Sequence, residues 1–278
     1  MPDLIRLEYR NVTMRFTQGA SRLTAVEGVS IAVRDGEVVS LIGPSGCGKS
    51  TLLNIGSGLT APSEGEAFVD GERVEGPNEH VAFMLQKDLL LPWRTVAENV
   101  MFGVEIQGVP AAERRRRAKS LLETLKLAEF SGHYPHQLSG GMRQRVALAR
   151  TLAVDPTVLL LDEPFSAVDA QTRMVLQREL AQTLQRAGKT ALLITHDLLE
   201  AVTLSDRVLV MSRRPGRIID EIPIEIPGRD DPLKRRRHPR SPVTSTVLWS
   251  GSSSAILKQR ARRYEGVEPF ARHSRHHT

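Results

Sequence analysis

The chain has 278 residues, of which 40% are hydrophobic and 25% charged, and a formal net charge of +6. That length allows one large domain or two small ones. No apolar stretch approaches the roughly 18 residues that a membrane-spanning helix needs, which argues against a membrane-spanning channel or permease. The single cysteine, Cys47, excludes an internal disulfide and suits a reducing cytoplasm. Met1-Pro2-Asp3 leads directly into strand-like sequence, so we expect no secretory signal.

The positive charge is concentrated at the C-terminal end. Residues 229–278 contain twelve Lys and Arg and four Asp and Glu, a net of +8, so residues 1–228 carry a net of −2. A body that binds nucleic acid is expected to show a basic face of its own. Residues 1–228 give no such compositional support, and we expect no nucleic-acid partner.

The first part of the chain has the pattern of antiparallel strands. Residues 4–42 alternate apolar and polar positions around an Asp35-Gly36 turn. Residues 64–74 form a second hairpin pattern around an Asp-Gly pair. We expect these two segments to form an antiparallel β-subdomain.

Short apolar runs recur along the chain and predict the strands of a parallel sheet covered on both faces. They lie at about residues 38–43, 80–86, 157–162, 190–195 and 207–212. Between Gln86 and Asp155 the apolar spacing becomes helical, as in Ala118–Leu127 and Met142–Leu152. The sequence therefore predicts an α/β protein with a parallel-sheet core, an antiparallel β-subdomain and an α-helical subdomain inserted at about residues 87–155.

A glycine-rich segment fits the P-loop pattern, which binds nucleotide phosphates. The segment and the residue after it are Gly43, Pro44, Ser45, Gly46, Cys47, Gly48, Lys49, Ser50 and Thr51. A strand-like run precedes the segment and a helix-like one follows, so glycine backbone and unpaired helix N–H groups can meet the phosphates. We expect Lys49 to reach the β- and γ-phosphates of ATP and Ser50 to ligate Mg²⁺. The alternative is a glycine-rich turn without a ligand.

Two acids follow the apolar run Val158–Leu161. Asp162 is expected to hold Mg²⁺, and Glu163 to face the attacking water as general base. Two adjacent acids after a strand are surface residues without a catalytic role about as often as they are catalytic. Their place at the carboxyl edge of a sheet that carries a P-loop favours the catalytic interpretation.

A second glycine-bearing segment, Leu138-Ser139-Gly140-Gly141-Met142, opens a helix-like stretch about ninety residues after the P-loop. The two segments together resemble those of the ATP-binding-cassette (ABC) ATPases, which have a P-loop NTPase fold of the RecA-like type. In that family the signature segment of one subunit closes over ATP held by the P-loop of another. The resemblance therefore implies a head-to-tail dimer of two copies, with Ser139, Gly140 and Gly141 of one copy capping the nucleotide of the other.

The resemblance gives roles to further residues and implies an ABC ATPase domain over residues 1–228. Gln86 falls at the position whose amide touches Mg²⁺ and the attacking water. His196 falls at the switch histidine, which contacts the γ-phosphate, and Asp169 lies in the segment called the D-loop. Phe16 falls at the aromatic position that stacks on adenine, where a buried core phenylalanine is the alternative.

Two other segments look like those of ATPases from nitrate, sulfonate and taurine importers. They are Leu89–Val96, after Gln86, and Met211–Ile218, after the last core strand. The resemblance implies ATP hydrolysis coupled to uptake of a small anion through integral membrane permease subunits. A periplasmic or extracellular substrate-binding protein would be an indirect partner. The chain would be peripheral, on the cytoplasmic face of the inner membrane.

Other interpretations remain open at this point. One is a soluble ABC ATPase that acts on nucleic acid or the ribosome, although two cassettes or a long coiled-coil insertion would be expected there. A non-catalytic regulatory cassette would be expected to lack Glu163 or an intact signature. Trp93 is expected to anchor the membrane subunits, with a place in the helical core as its alternative. The run Arg114–Arg117 is expected to be a solvated helix face, with attraction to anionic lipid as the alternative.

Residues 229–278 form a basic tail with low periodicity and few apolar residues. Such composition does not bury enough apolar surface to fold, so we expect the tail to be poorly ordered. Its terminal histidines, at 273, 276 and 277, could bind a metal ion, but a disordered basic end is the favoured interpretation.

Overall fold

The structure, a computed structural model, describes residues 4–18 and 21–238. Its strands are β1 (Ile5–Gln18), β2 (Ser21–Arg34), β3 (Val38–Ile42), β4 (Glu64–Val69), β5 (Glu72–Arg73), β6 (Val81–Met84), β7 (Val158–Asp162), β8 (Thr190–Ile194), β9 (Arg207–Met211) and β10 (Ile218–Pro223). Its helices are α1 (Lys49–Gly56), α2 (Val96–Ile106), α3 (Ala111–Thr124), α4 (Gly140–Ala153), α5 (Ala170–Arg186), α6 (Leu198–Leu204) and α7 (Pro232–Arg237). No helix in these two ranges is both long and apolar enough to cross a bilayer.

The larger sheet has the strand order β10-β9-β3-β8-β7-β6, and the pairs from β9 to β6 are parallel. Every residue of β3, β7 and β8 is buried, because helices or the second sheet cover both faces. This explains why these strands read as continuous apolar runs. The predicted core strands are confirmed to within one or two residues at each end.

The smaller sheet is antiparallel, with the order β2-β1-β4-β5. Its buried face packs on α1 and on one face of the parallel sheet, in a core that includes Leu7, Val29, Leu52 and Leu160. Tyr9, which is 1% exposed, donates a 2.8 Å hydrogen bond to the backbone oxygen of Leu52 in α1. The antiparallel subdomain thus holds the helix that follows the P-loop.

The helices α2, α3 and α4 lie between β6 and β7 in the sequence and form a separate helical layer, as the sequence predicts. Their inner faces and β6 and β7 share a second apolar core, which includes Val100, Leu122 and Leu148. Helix α2 begins with a capping box, in which Thr95 and Glu98 exchange hydrogen bonds with each other's backbone N–H groups. The cap fixes the point at which the chain leaves the sheet and enters the helical layer.

The first residues of the predicted tail are folded, which corrects the expectation of a poorly ordered segment from residue 229 onward. Helix α7 packs against α5 and α6. Arg235 is 3% exposed and donates from Nη1 to the backbone oxygens of Val202, Thr203 and Ser205, at 3.3, 3.4 and 2.7 Å. The low apolar content of the tail did not indicate this contact, because a guanidinium binds the carbonyl groups at the end of a helix through hydrogen bonds and charge. Residues 239–278, with the terminal histidines, lie outside the described residues.

Candidate active site

Four predicted site segments follow neighbouring parallel strands at their carboxyl ends. The P-loop follows β3, His196 follows β8, Glu163 follows β7 and Gln86 follows β6, and these strands are adjacent in the order β3-β8-β7-β6. The carboxyl ends of parallel strands open on one edge of a sheet, where ligands bind in folds of this class. The sheet therefore brings the four segments to one edge.

The P-loop is packed too tightly to accept side chains at two of its glycines. A Cβ atom on Gly48, whose φ is +106°, would lie 2.4 Å from Val26 Cγ1 and 2.9 Å from the Ala25 oxygen. A Cβ atom on Gly43 would lie 3.0 Å from Met211 Cβ. Glycine at these positions lets the loop pass between β2 and β9 before α1 begins. Gly48 is the N-cap of α1 and has no side chain, so it leaves the first N–H groups of this helix without a side-chain cap.

Lys49 lies across its own loop. Its Nζ donates to the backbone oxygens of Gly43 and Pro44, at 2.8 and 3.0 Å, and the residue is 9% exposed. A lysine ammonium has three donors, and the third lies 3.8 Å from Cys47 Sγ, a weak acceptor that a ligand oxygen can replace. The lysine thus closes the cradle and directs its charge into it.

Asp162 ends β7 with a carboxyl group that is 6% exposed. Burial raises the pKa of this carboxyl, while a hydrogen bond with Ser50 and the positive charge of Lys49 act in the opposite direction. The hydroxyl of Ser50, the carboxylate of Asp162 and the amide oxygen of Gln86 are the kinds of oxygen ligand that Mg²⁺ prefers. The donor set at this edge therefore fits a magnesium ion.

The carboxylate of Glu163 is held by the two side chains that the sequence places beside it. Gln86 Nε2 donates to Glu163 Oε2 at 3.0 Å, and His196 Nδ1 lies 3.4 Å from the same oxygen. Glu163 has a φ of +47°, which is uncommon outside glycine, and its N–H donates to the Ile194 oxygen at 3.0 Å. That backbone bond ties the end of β7 to the end of β8, two residues before His196.

The signature segment forms the N-terminus of α4. Ser139 is the N-cap, and its hydroxyl accepts a 3.3 Å hydrogen bond from the Met142 N–H. Gly140 and Gly141 lie near the D-loop of the same chain, the segment that ends at Asp169. A Cβ atom on either glycine would lie about 4 Å from the Ala167 oxygen. Within residues 4–18 and 21–238, no hydrogen bond or ion pair joins the signature to the P-loop. The fold brings the two sheet acids and the P-loop together but leaves the signature apart.

Asp169 and Phe16 complete the predicted set. Asp169 is the N-cap of α5, and backbone N–H groups of Thr172 and Gln171 lower the pKa of its carboxyl. Phe16 is 42% exposed, so its interpretation as a buried core residue was wrong. It lies two positions beyond Met14 on β1, and Met14 pairs with Val26, which contacts the P-loop. The aromatic ring therefore lies exposed on β1, the strand paired with the one that contacts the P-loop.

Sequence reasoning missed the residues that hold the segment after Gln86. Asn99 is fully buried; its Nδ2 donates to the oxygens of Leu91, Arg94 and Thr95, and its Oδ1 accepts from the Leu91 N–H. This leaves Trp93, at the tip of the segment, 72% exposed, so the interpretation of Trp93 as helical core was wrong. A buried polar residue on the apolar side of a predicted helix was the only available signal.

Two arginines of α4 link the signature helix to the same segment. Arg143 Nε donates to Asp88 Oδ2 at 3.0 Å, and Arg150 donates to the backbone oxygens of Asp88 and Leu89 at 2.7 and 2.8 Å. The helix that begins with the signature and the segment that follows Gln86 therefore form one connected unit.

The comparisons with known proteins agree with this geometry. The sequence profile of the ABC transporter family matches residues 26–166. An ABC transporter ATP-binding protein from Methanocaldococcus jannaschii is 46% identical over 222 residues, which is 80% of this chain and 83% of the relative. This chain belongs to the ABC transporter family. It is an ATPase of the ABC type, and the predicted fold class is confirmed.

Other ABC proteins are similar over nearly the whole chain. A nitrate import ATP-binding protein from Synechocystis is 40% identical over 267 residues, covering 96% of this chain and all of the relative. A taurine import ATP-binding protein from Burkholderia pseudomallei is 45% identical over 266 residues, covering 95% of this chain and all of the relative. A solved dimeric ATP-binding cassette in a post-hydrolysis state, bound to ADP and Pi, is 33% identical with a TM-score of 0.73. That match covers 79% of this chain and 99% of the solved one.

Proposed function

We propose that the chain is the ATP-hydrolysing subunit of an ABC importer, which couples ATP binding and hydrolysis to solute uptake through separate membrane subunits. The transported solute is a small anion such as nitrate, sulfonate or taurine. The names of the Synechocystis and Burkholderia relatives, which match the full length of those proteins, support this substrate class. The chain acts as a peripheral subunit on the cytoplasmic face of the membrane.

One observation carries the catalytic assignment: Gln86 and His196 both meet Glu163 Oε2 at the edge of the sheet that holds the P-loop. Glu163 accepts the proton of the attacking water as general base. Gln86 orients the carboxylate and the water, and His196 stabilises the charge that develops on the γ-phosphate. Positioning and charge stabilisation then account for most of the catalysis, as expected for phosphoryl transfer.

The P-loop holds the triphosphate. Lys49 donates to the β- and γ-phosphates with the donor that its loop carbonyls leave unused. Ser50, Asp162 and Gln86 hold Mg²⁺, which neutralises phosphate charge when it is bound. Phe16, exposed on β1, stacks on the adenine ring.

A second copy of the chain completes the site. The signature makes no hydrogen bond with the P-loop of its own chain within the described ranges, and Ser139 lies at the positive end of α4. In a head-to-tail dimer, Ser139, Gly140 and Gly141 of one copy cap the ATP on the other copy, and Asp169 of the D-loop lies beside them. The dimeric state of the similar solved cassette supports this arrangement.

The membrane subunits dock on the surface around Trp93. This side chain is 72% exposed at the tip of a segment that the buried Asn99 holds in place. A rigid exposed tryptophan is a typical interface anchor. Since Arg143 and Arg150 tie the same segment to the signature helix, closure around ATP moves the docking surface.

Gene deletion in the source organism tests the proposed function. The deletion strain should lose uptake of labelled nitrate, taurine or an alkanesulfonate, and the parental gene should restore it. The Glu163→Gln gene should not restore uptake, although the protein accumulates to the parental level. Unchanged uptake of all three anions, with the chain recovered on ribosomes or nucleic acid, would contradict an importer and favour a soluble ABC ATPase.

A further inference from the structure

The loop between β9 and β10 packs against the outer side of the P-loop. A Cβ atom on Gly216 would lie 2.0 Å from the backbone oxygen of Cys47, so the two loops are in direct contact. The N–H of Gly216 donates to the Ala25 oxygen at 2.9 Å, and the N–H of Glu27 donates to the Gly216 oxygen at 3.0 Å. The loop is therefore fixed between β2 and the P-loop.

Arg214, two residues earlier in this loop, reaches the backbone of the P-loop. Its Nε and Nη2 both donate to the oxygen of Gly46, at 3.0 and 2.7 Å. The neighbouring Arg213 is also exposed, but its side chain makes no hydrogen bond or ion pair with any described residue. Of these two adjacent arginines of equal charge, only Arg214 is bonded to the P-loop among the described residues.

We propose that Arg214 is a positioning residue that raises the affinity of the P-loop for nucleotide phosphates. The inference rests on the proposed function only in that the P-loop binds a nucleotide. Arg214 acts on the middle of the loop, whereas Lys49 holds the beginning of the loop through the oxygens of Gly43 and Pro44.

The geometry of the peptide bond explains how Arg214 acts. In a trans peptide the carbonyl and the following N–H point in opposite directions. Two bonds from outside the loop hold the Gly46 carbonyl outward, so the Cys47 N–H is directed into the cradle, where it now makes only a 3.3 Å bond to the Pro44 oxygen. A carbonyl that accepts charge-assisted bonds also polarises its peptide and strengthens the N–H as a donor.

Charge acts in the same direction. The guanidinium of Arg214 places a positive charge beside the backbone of the loop. Backbone N–H groups and fixed charges of this kind favour a bound anion. Because the side chain is exposed, solvent screens this contribution, and the effect on affinity is expected to be moderate.

Titration of the full-length protein with Mg-ADP tests the proposal. Arg214→Gln removes the positive charge and both bonds to the Gly46 oxygen. The control, Arg213→Gln, removes an equal charge from the neighbouring residue, which makes no bond to the P-loop. We expect Arg214→Gln to raise the Kd for ADP and the KM for ATP about three- to tenfold, as a partly screened charge contact would. We expect kcat within about twofold of the parent. Arg213→Gln should bind ADP as the parent does, and Arg214→Lys should fall between the parent and Arg214→Gln.

Several results would overturn the proposal. They are a parental Kd in Arg214→Gln, an equal loss in Arg213→Gln, or a fall in kcat with an unchanged Kd. If Arg214→Gln does not fold, as judged by melting without nucleotide, Arg214→Lys decides. A weaker Kd at a parental melting temperature then supports the proposal, and a parental Kd overturns it. A parent protein that binds no ADP would instead contradict the proposed nucleotide site itself.

Discussion

The P-loop and the signature segment of this chain are built in different ways. The P-loop is held from several sides by its own chain: Lys49 bonds its first carbonyls, Arg214 bonds its middle, and Ser50 bonds Asp162 on β7. The signature is held by its own helix, through the bond from the Met142 N–H to Ser139 and the bond from Arg143 Nη1 to the Leu138 oxygen. In the proposed site the P-loop half is formed within one chain, whereas the signature half, with Ser139 exposed at a helix end, needs a second copy.

The contrast bears on which steps of the proposed mechanism need a second copy. The contacts of the P-loop lie within one chain, so we expect a single chain to bind nucleotide. The signature helix is bonded to the segment that carries Trp93. In the proposed function, nucleotide binding therefore belongs to one chain, while hydrolysis and movement of the docking surface belong to the pair.

Substitution of Asp162 and Glu163, the two acids at the end of β7, should give the largest effect, on the P-loop half of the site. Glu163→Gln keeps the shape of the side chain but does not accept a proton, so turnover should fall roughly 10²–10⁴-fold while ATP binding persists. Asp162→Asn should instead weaken Mg-ATP binding, because the ion loses a charged partner. Parallel measurement of kcat and of nucleotide Kd separates the two. A Glu163→Gln protein with parental turnover would remove Glu163 from the mechanism.

The pH dependence of stability probes α6, the helix that begins two residues after His196. Glu200 of α6 is 5% exposed; burial, with the negative charge of Asp197, raises the pKa of its carboxyl to about 7. Since the unfolded carboxyl titrates near 4.5, the folded protein holds one more proton between these values, and stability falls as pH rises through that window. Glu200→Gln should remove this fall and be more stable than the parent at pH 8 by up to about 3 kcal/mol.

Urea unfolding of the parent and the variant at pH 5 and pH 8 measures the effect of Glu200. The exposed Glu123 provides a control, because Glu123→Gln should leave the parental pH dependence in place. If the parent and Glu200→Gln lose the same free energy of unfolding between the two pH values, Glu200 is ionised in the folded protein at both.

Trp93→Ala tests the surface that is proposed to dock on the membrane subunits. Loss of an exposed anchor should lower the fraction of the chain retained on membranes of the source organism about tenfold. Melting temperature and basal ATPase should stay parental, because the side chain is 72% exposed. Leu59→Ala, which removes an exposed apolar side chain elsewhere, is the control. Equal retention of both variants would place the docking surface elsewhere.

Removal of the C-terminal segment should have the smallest effect. Deletion of residues 239–278 should leave ADP affinity and melting temperature unchanged, because the sequence of this segment has few apolar residues and low periodicity. Deletion from residue 229 should lower the melting temperature, since it also removes Arg235 from the end of α6. Calorimetry with and without ADP makes the comparison. Loss of affinity in the shorter deletion would show that residues 239–278 dock on the body.

The sequence predicted the sheet and the edge of the site because those features are local. Apolar runs mark β3, β7 and β8, and each motif follows its strand within a few residues. The contacts of Arg214 and Arg235 could not be predicted in this way. Arg214 and Gly46 are 168 positions apart, and Arg235 meets carbonyls about 30 positions away, so only the folded chain brings them together.

The helical layer shows the same limit on a smaller scale. The apolar spacing of 118–127 predicted a helix up to Leu127, but α3 ends at Thr124. Lys126 has a φ of +55°, which turns the chain, and Leu127 is still fully buried after the turn. A residue can keep its place in the core after the helix has ended, so burial alone does not give the boundary.

The molecular mass of Glu163→Gln in saturating Mg-ATP, measured by light scattering after size exclusion, tests whether the signature of one copy completes the P-loop of another. We predict a dimer of twice 30.8 kDa with ATP and a monomer without it. Adding Ser139→Arg should abolish the dimer while ADP still binds, because the open signature surface is blocked and the P-loop is intact. A Glu163→Gln protein that stays monomeric in ATP, or a dimer that persists with Ser139→Arg, would contradict the account that the signature of one copy completes the P-loop of another.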